Sequence, residues 1–206
     1  MEAITVYCGS STQLDPVFHE VAEAVGQSIA QRGLTLVYGG GRIGLMGEVA
    51  RAAAAAGASV VGVMTHKLVD HEQANEDCDE LIVVDTMQER RRIMAHRGDA
   101  FLVLPGGIGT YEEFFEVLVG RQLNDHTKPI GIVNVADYFE ALVRLIEHGI
   151  EHRFIRPALR DVLHVHSCPD AVLDHLIDGD HPQPSHLDIL PMHQNKDGGY
   201  CNHAEE

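Results

Sequence analysis

The chain has 206 residues, 45% of them hydrophobic, which fits one globular domain with an ample core. No apolar run approaches the ~18–20 residues of a membrane span, and no basic segment leads into a long apolar one at the N-terminus, so the chain reads as soluble and not exported. A formal net charge of −16 argues against nucleic-acid polymers and acidic membranes as partners, and Cys8, Cys78, Cys168 and Cys201, far apart and without a C-x-x-C pair, indicate neither a zinc knuckle nor a disulfide framework and fit a reducing cytoplasm.

Ala3 to Cys8 reads as a buried strand ending in Gly9-Ser10-Ser11, a turn whose amides and hydroxyls can add to an anion site. Asp15-Pro16 supplies an N-cap and a first-turn proline, and Val17, Val21, Val25 and Ile29 carry an apolar stripe towards Gly33. A second strand, Leu34 to Tyr38, runs into Gly39-Gly40-Gly41-Arg42-Ile43-Gly44, formally a G-x-G-x-x-G, and then into an alanine-rich helix from about Leu45 to Ala56. A dinucleotide fingerprint adds an acidic residue at the end of the next strand, roughly twenty residues on. That strand, Ser59 to Met64, ends instead in Thr65-His66-Lys67, which disfavours NAD and FAD, and without a Gly-Lys dipeptide there is no Walker-type loop.

Residues 65–79 read as a polar connection near the mouth of a site, and their His, Asp and Glu match no metal-ligand spacing, which disfavours a metal there. After a strand from Leu81 to Val84, Thr86-Met87-Gln88-Glu89 has the form of a capping box and puts Arg90 in the first turn of a helix to about Arg97. Arg90, Arg91, Arg92 and Arg97 form a basic island in this acidic chain, suited either to a small anion or to a solvated helix face.

Phe101 to Leu104 reads as a strand buried on both faces, stopped by Pro105 and followed by Gly106, Gly107 and Gly109. A helix from Thr110 to about Gln122 then places Phe114, Phe115, Leu118 and Val119 on one face. Strand, glycine turn and helix start together aim N–H groups at one point and favour a phosphate there, the alternative being a tight turn without a ligand. Thr110-Tyr111-Glu112-Glu113 also fits a capping box, in which Glu113 would be only a cap. Strands at Pro129–Val133 and Leu163–Val165, with helices at Tyr138–Glu147 and Pro169–Ile177, close the pattern.

From Gly179 the sequence loses periodicity, giving a domain at 1–179 and a disordered tail at 180–206, whose His181, His186, His193 and His203 would bind metal only adventitiously. The alternation of strands and helices implies an α/β fold, a single Rossmann-like domain with a mostly parallel, doubly wound sheet and helices on both faces. Ligands in such sheets sit beyond the carboxyl ends of the strands, where Ser10, Gly39–Gly41, Arg90 and Pro105–Glu113 all fall.

Tyr38-Gly-Gly-Gly-Arg-Ile-Gly-Leu-Met-Gly47, Met87-Gln-Glu-Arg-Arg91 and Pro105-Gly-Gly-Ile-Gly-Thr-Tyr-Glu-Glu113 resemble the Lonely Guy family, the cytokinin riboside 5′-monophosphate phosphoribohydrolases, and the similarity runs over residues 3–165. The resemblance implies cofactor-free hydrolysis of the N-glycosidic bond of an adenosine 5′-monophosphate, usually N6-modified, to base and ribose 5-phosphate by a homodimer. It puts the catalytic pair on Arg90 and Glu113 and the substrate and phosphate contacts on Ser10, Gly39, Gly40, Gly41, Arg91, Gly106, Gly107, Gly109 and Thr110. Arg90 meets either the phosphate or the leaving base. Where the family usually has M-H-x-R-K this chain has Met87-Gln-Glu-Arg-Arg91, and where a proline is common it has Thr65, which leaves the base open between AMP and N6-prenylated AMP. A general AMP nucleosidase and a non-catalytic nucleotide or cofactor carrier, like the similar molybdenum-cofactor carriers, are the alternative readings. The label "lysine decarboxylase" borne by some relatives finds no support, because Lys67, Lys128 and Lys196 all lie outside the glycine-lined motifs.

Overall fold

The computed structural model describes residues 1–69, 73–182, 193–194 and 200–201. Its strands are β1 (Ala3–Tyr7), β2 (Thr35–Tyr38), β3 (Val60–Thr65), β4 (Glu80–Val84), β5 (Ala100–Val103), β6 (Ile130–Val133) and β7 (Leu163–His166). They form one sheet in the order β4-β3-β2-β1-β5-β6-β7, every neighbouring pair parallel. Chain order runs outward from β1 to β4 and then returns to β5 on the other side, so connections diverge between β1 and β5, the place where a parallel sheet opens a crevice.

The strand side chains alternate between two cores. Ile4, Val6, Leu36, Tyr38 and Leu102 pack under α1 (Pro16–Gln31), α2 (Gly44–Ala55) and α7 (Pro169–Asp178). Tyr7, Val37, Phe101 and Val103 pack under α4 (Met87–Arg97), α5 (Ile108–Gln122) and α6 (Glu140–Glu151). This is the three-layer arrangement expected from the sequence. A one-turn helix, α3 (His66–Val69), follows β3 directly, within the stretch read as a polar connection. The small residues of α2 let it lie close to α1: a Cβ on Gly26 would overlap the Val49 carbonyl oxygen.

The end of α4 is held from across the chain, where Lys128 Nζ donates to the carbonyls of Ala95 at 2.7 Å and Gly98 at 2.6 Å. Of the stretch read as a tail, His181 bonds the Leu176 carbonyl at 3.0 Å and the Pro182 carbonyl accepts from Arg121 at 2.7 Å. His193–Gln194 pairs antiparallel with Tyr200–Cys201, and the remainder, including His186 and His203, lies outside the described residues. Among the described residues no helix is long and apolar enough to cross a membrane.

Candidate active site

A cleft of ≈ 390 Å³ opens where β1, β2, β3 and β5 end. Tyr7, Gly39, Arg90 and Glu113 line its buried part, the first turn of α5 forms one wall, and the exposed Lys67 and Met87 stand at its mouth. The four segments expected to share a cleft do so.

The pair in the buried part is built by two helices. Thr86 Oγ1 accepts from the Glu89 amide at 3.1 Å, so the expected cap starts α4 and turns Arg90 inward. Arg90 is 5% exposed, and all three of its guanidinium nitrogens donate: Nε to the Val63 carbonyl at 2.9 Å, Nη2 to the Gly39 carbonyl at 3.1 Å and Nη1 to Glu113 Oε1 at 3.1 Å. Gly39 has a steric reason to be glycine, since a Cβ there would overlap Arg90 Nη2. Such a buried ion pair fixes the carboxylate's position, because moving either member alone strands a charge out of water.

Glu113 is not a cap. The N-cap of α5 is Gly107 and the helix begins at Ile108, earlier than Thr110, so Glu113 sits in the second turn and points at Arg90. The first-turn amides of α5 therefore face the cleft without intrahelical acceptors. Gly107 and Gly109 have open space where a Cβ would be, leaving room for a ligand to approach those amides, whereas a Cβ on Gly106 would overlap Thr110 Oγ1. The Gly9 amide donates to the Pro105 carbonyl at 3.0 Å and ties the β1 turn, with Ser10, to the glycine turn.

Ser10, Gly39, Arg90, Gly107, Gly109, Thr110 and Glu113 thus line one cleft. Gly40 packs behind it on Met64 and Val63, Gly41 bridges to Ala74, and Gly106 lies under Thr110. Arg91 is not among the lining residues: its guanidinium pairs with Glu112 at 3.0 Å and with Glu116, clamping α5 to α4. Arg97 pairs with Glu80 at 2.6 Å, so the basic island is divided among three tasks.

Tyr7 is a cleft residue that the sequence motifs did not mark, and Lys67 lines the mouth of the cleft. Burial, and after it the Glu113 charge, pushes the Tyr7 phenol well above its ordinary range, which keeps it a neutral donor near the carboxylate. Tyr7 belonged to a strand read only as buried. Lys67, outside the glycine-lined motifs but within the connection read as lying near the mouth of a site, lines the cleft because α3 turns the chain back over the end of β3.

A sequence family described as "Possible lysine decarboxylase" matches residues 46–176. A Schiff-base lysine is activated by desolvation, but Lys67 is exposed and Lys128 is held by the carbonyls that end α4. The chain is 44% identical over 160 residues to a cytokinin riboside 5′-monophosphate phosphoribohydrolase of Rhodococcoides fascians, covering 77% of this chain and 81% of that one. It is 36% identical over 204 residues to a probable enzyme of the same name from Oryza sativa subsp. japonica, covering 98% and 80%. Among solved structures, the molybdenum cofactor binding protein of Rippkaea orientalis matches with a TM-score of 0.65 at 21% identity, over 84% of this chain and 94% of that one, a likeness of fold alone.

Proposed function

This chain belongs to the Lonely Guy family of cytokinin riboside 5′-monophosphate phosphoribohydrolases, and on that premise we propose that it hydrolyses the N-glycosidic bond of adenosine 5′-monophosphates, N6-modified ones included, to base and ribose 5-phosphate. The observation that carries the reading is the buried Arg90–Glu113 pair beside the open, glycine-lined start of α5. Breaking a ribosyl C–N bond builds positive charge on the sugar. Glu113, held in place by Arg90, stabilises that charge and takes the proton of the attacking water. The first-turn amides of α5 hold the 5′-phosphate. Because all three guanidinium nitrogens of Arg90 bond to the protein, we assign it to positioning Glu113 and not to direct capture of the phosphate.

Chromatography of the products from AMP and from isopentenyladenosine monophosphate tests this. Free base from either establishes the hydrolase, and the ratio of the two rates gives the preferred base. Recovery of intact, bound nucleotide would make the protein a carrier and overturn the reading.

We further read the protein as a cytoplasmic homodimer. The unlinked thiols of Cys78 and Cys168 agree with a reducing compartment. Phe115, Val119 and Leu123 form an exposed apolar stripe on α5 that suits a second copy.

A further inference from the structure

The cleft contains two cationic side chains, and the reading above uses only one. The other, Lys67, is exposed on α3 and among the described residues makes neither a hydrogen bond nor an ion pair. Its position in the sheet says which end of a bound nucleotide it meets. The phosphate-binding start of α5 follows β5, whereas Lys67 follows β3, and the order β3-β2-β1-β5 puts three strand spacings, roughly 14 Å, between them. Between the two ends lies Glu113, and its partner Arg90 is bonded to the carbonyls of Gly39, just after β2, and of Val63, in β3. A nucleotide anchored by its phosphate at α5, with its ribose at Glu113, therefore directs its base towards α3, where Leu68 and Met87 supply apolar surface and Lys67 the ammonium.

Resting on the hydrolase reading, we propose that Lys67 donates to the departing base. The C1′–N bond breaks with its electron pair moving onto the base. Water oxygen bonds to C1′, and its proton passes to Glu113. The base nitrogen that gains the pair, or a ring nitrogen conjugated with it, takes a proton from the Lys67 ammonium. Lys67 recovers a proton from solvent at the open mouth and Glu113 releases one there, so the overall change is addition of water across the bond. Donation to a leaving group is worth the ~10²–10⁴ in rate typical of general acids.

The test compares AMP with p-nitrophenyl riboside 5-phosphate, whose phenolate leaves without needing a proton, for wild type, Lys67→Gln and Lys67→Arg. For Lys67→Gln, kcat on AMP falls by ~10² or more while kcat on the phenolate substrate stays within about threefold. Lys67→Arg stays slow on AMP, because a guanidinium donates a hydrogen bond but does not give up its proton. An equal loss on both substrates expressed in KM would make Lys67 a phosphate ligand and overturn the proposal, as would full activity of either variant on AMP. Absence of base release by the wild type would instead overturn the hydrolase reading, and the two failures are separate results.

Discussion

Glu113 offers a choice between two chemistries, and its neighbours decide it. The sequence allowed a cap at Thr110; the helix starts at Ile108, and the carboxylate turns to Arg90 in a place 8% exposed. For Glu113→Gln we therefore expect base release to fall by ~10²–10⁴, since the amide has neither the charge nor the basicity to serve the ribosyl cation or the water. The amide oxygen can still accept from Arg90, but the buried guanidinium loses its counter-charge, so the loss of stability approaches the about 3–5 kcal/mol of a broken buried pair. Glu89→Gln is the control, because the cap of α4 uses the Glu89 backbone amide and not its side chain. Near-wild-type rates in both folded variants would remove Glu113 from the chemistry. The pair itself was legible in the motifs. The hold on Arg90 was not, because its other two acceptors are main-chain carbonyls, which no side-chain pattern marks.

Packed elements create properties that no single stretch carries. The sequence scattered histidines from His164 to its end, but the pairing of β7 with β6 and the docking of α7 stack the rings of His164 and His175 with centroids 3.8 Å apart. His166 lies 6.5 Å from His164, His181 lies 5.2 Å from His175, and Arg121 and Asp161 line the same small cavity. Burial first, then His175, His166 and His181, hold the His164 imidazole below its usual value; His175 is lowered by burial and then by His181, with Asp180 opposing. His126 is lowered too, mainly by burial, and its neutral form donates from Nε2 to the Val117 carbonyl and accepts the Lys128 amide on Nδ1. Depressed histidine pKa values mean that the unfolded chain binds more protons, so this stability is complete above about pH 6.5 and is lost as the pH falls below it. The melting temperature should drop between pH 7 and 5, and His175→Gln should flatten part of that slope. A wild-type melting temperature constant over that range would contradict the assignment. Helix faces were legible with one systematic error: four apolar residues were given one face of α5, but Phe114 and Phe115 are 100° apart, and the structure buries Phe114 and Leu118 while exposing Phe115 and Val119.

For the whole molecule, alternation of strand and helix was enough for a parallel three-layer fold, because each element's period follows from what covers it. The strand order was not readable, since the sequence does not say on which side of β1 the chain returns, and that return is what brings α5, α4 and α3 to one cleft. The same arrangement leaves the Phe115, Val119 and Leu123 stripe facing outward, 37%, 48% and 46% exposed and spaced four residues apart along α5. Two copies of a chain with net charge −16 repel each other, so an interface has to combine apolar burial with locally neutralised charge. The stripe supplies the apolar surface, and the charge of the acids beside it, Glu112 and Glu116, is halved by their shared pairing with Arg91. Light scattering at micromolar concentration should give the wild type about twice the 22.6 kDa of the chain. Val119→Glu puts an unpaired carboxylate in the middle of the stripe without touching the core, and should give the mass of one chain with a folded circular-dichroism spectrum. Because α5 also carries Glu113 and begins at the glycine turn, loss of the second copy should loosen the cleft and lower base release together with the mass. A monomeric wild type, or a Val119→Glu variant that keeps the doubled mass, would show that the interface does not lie on α5.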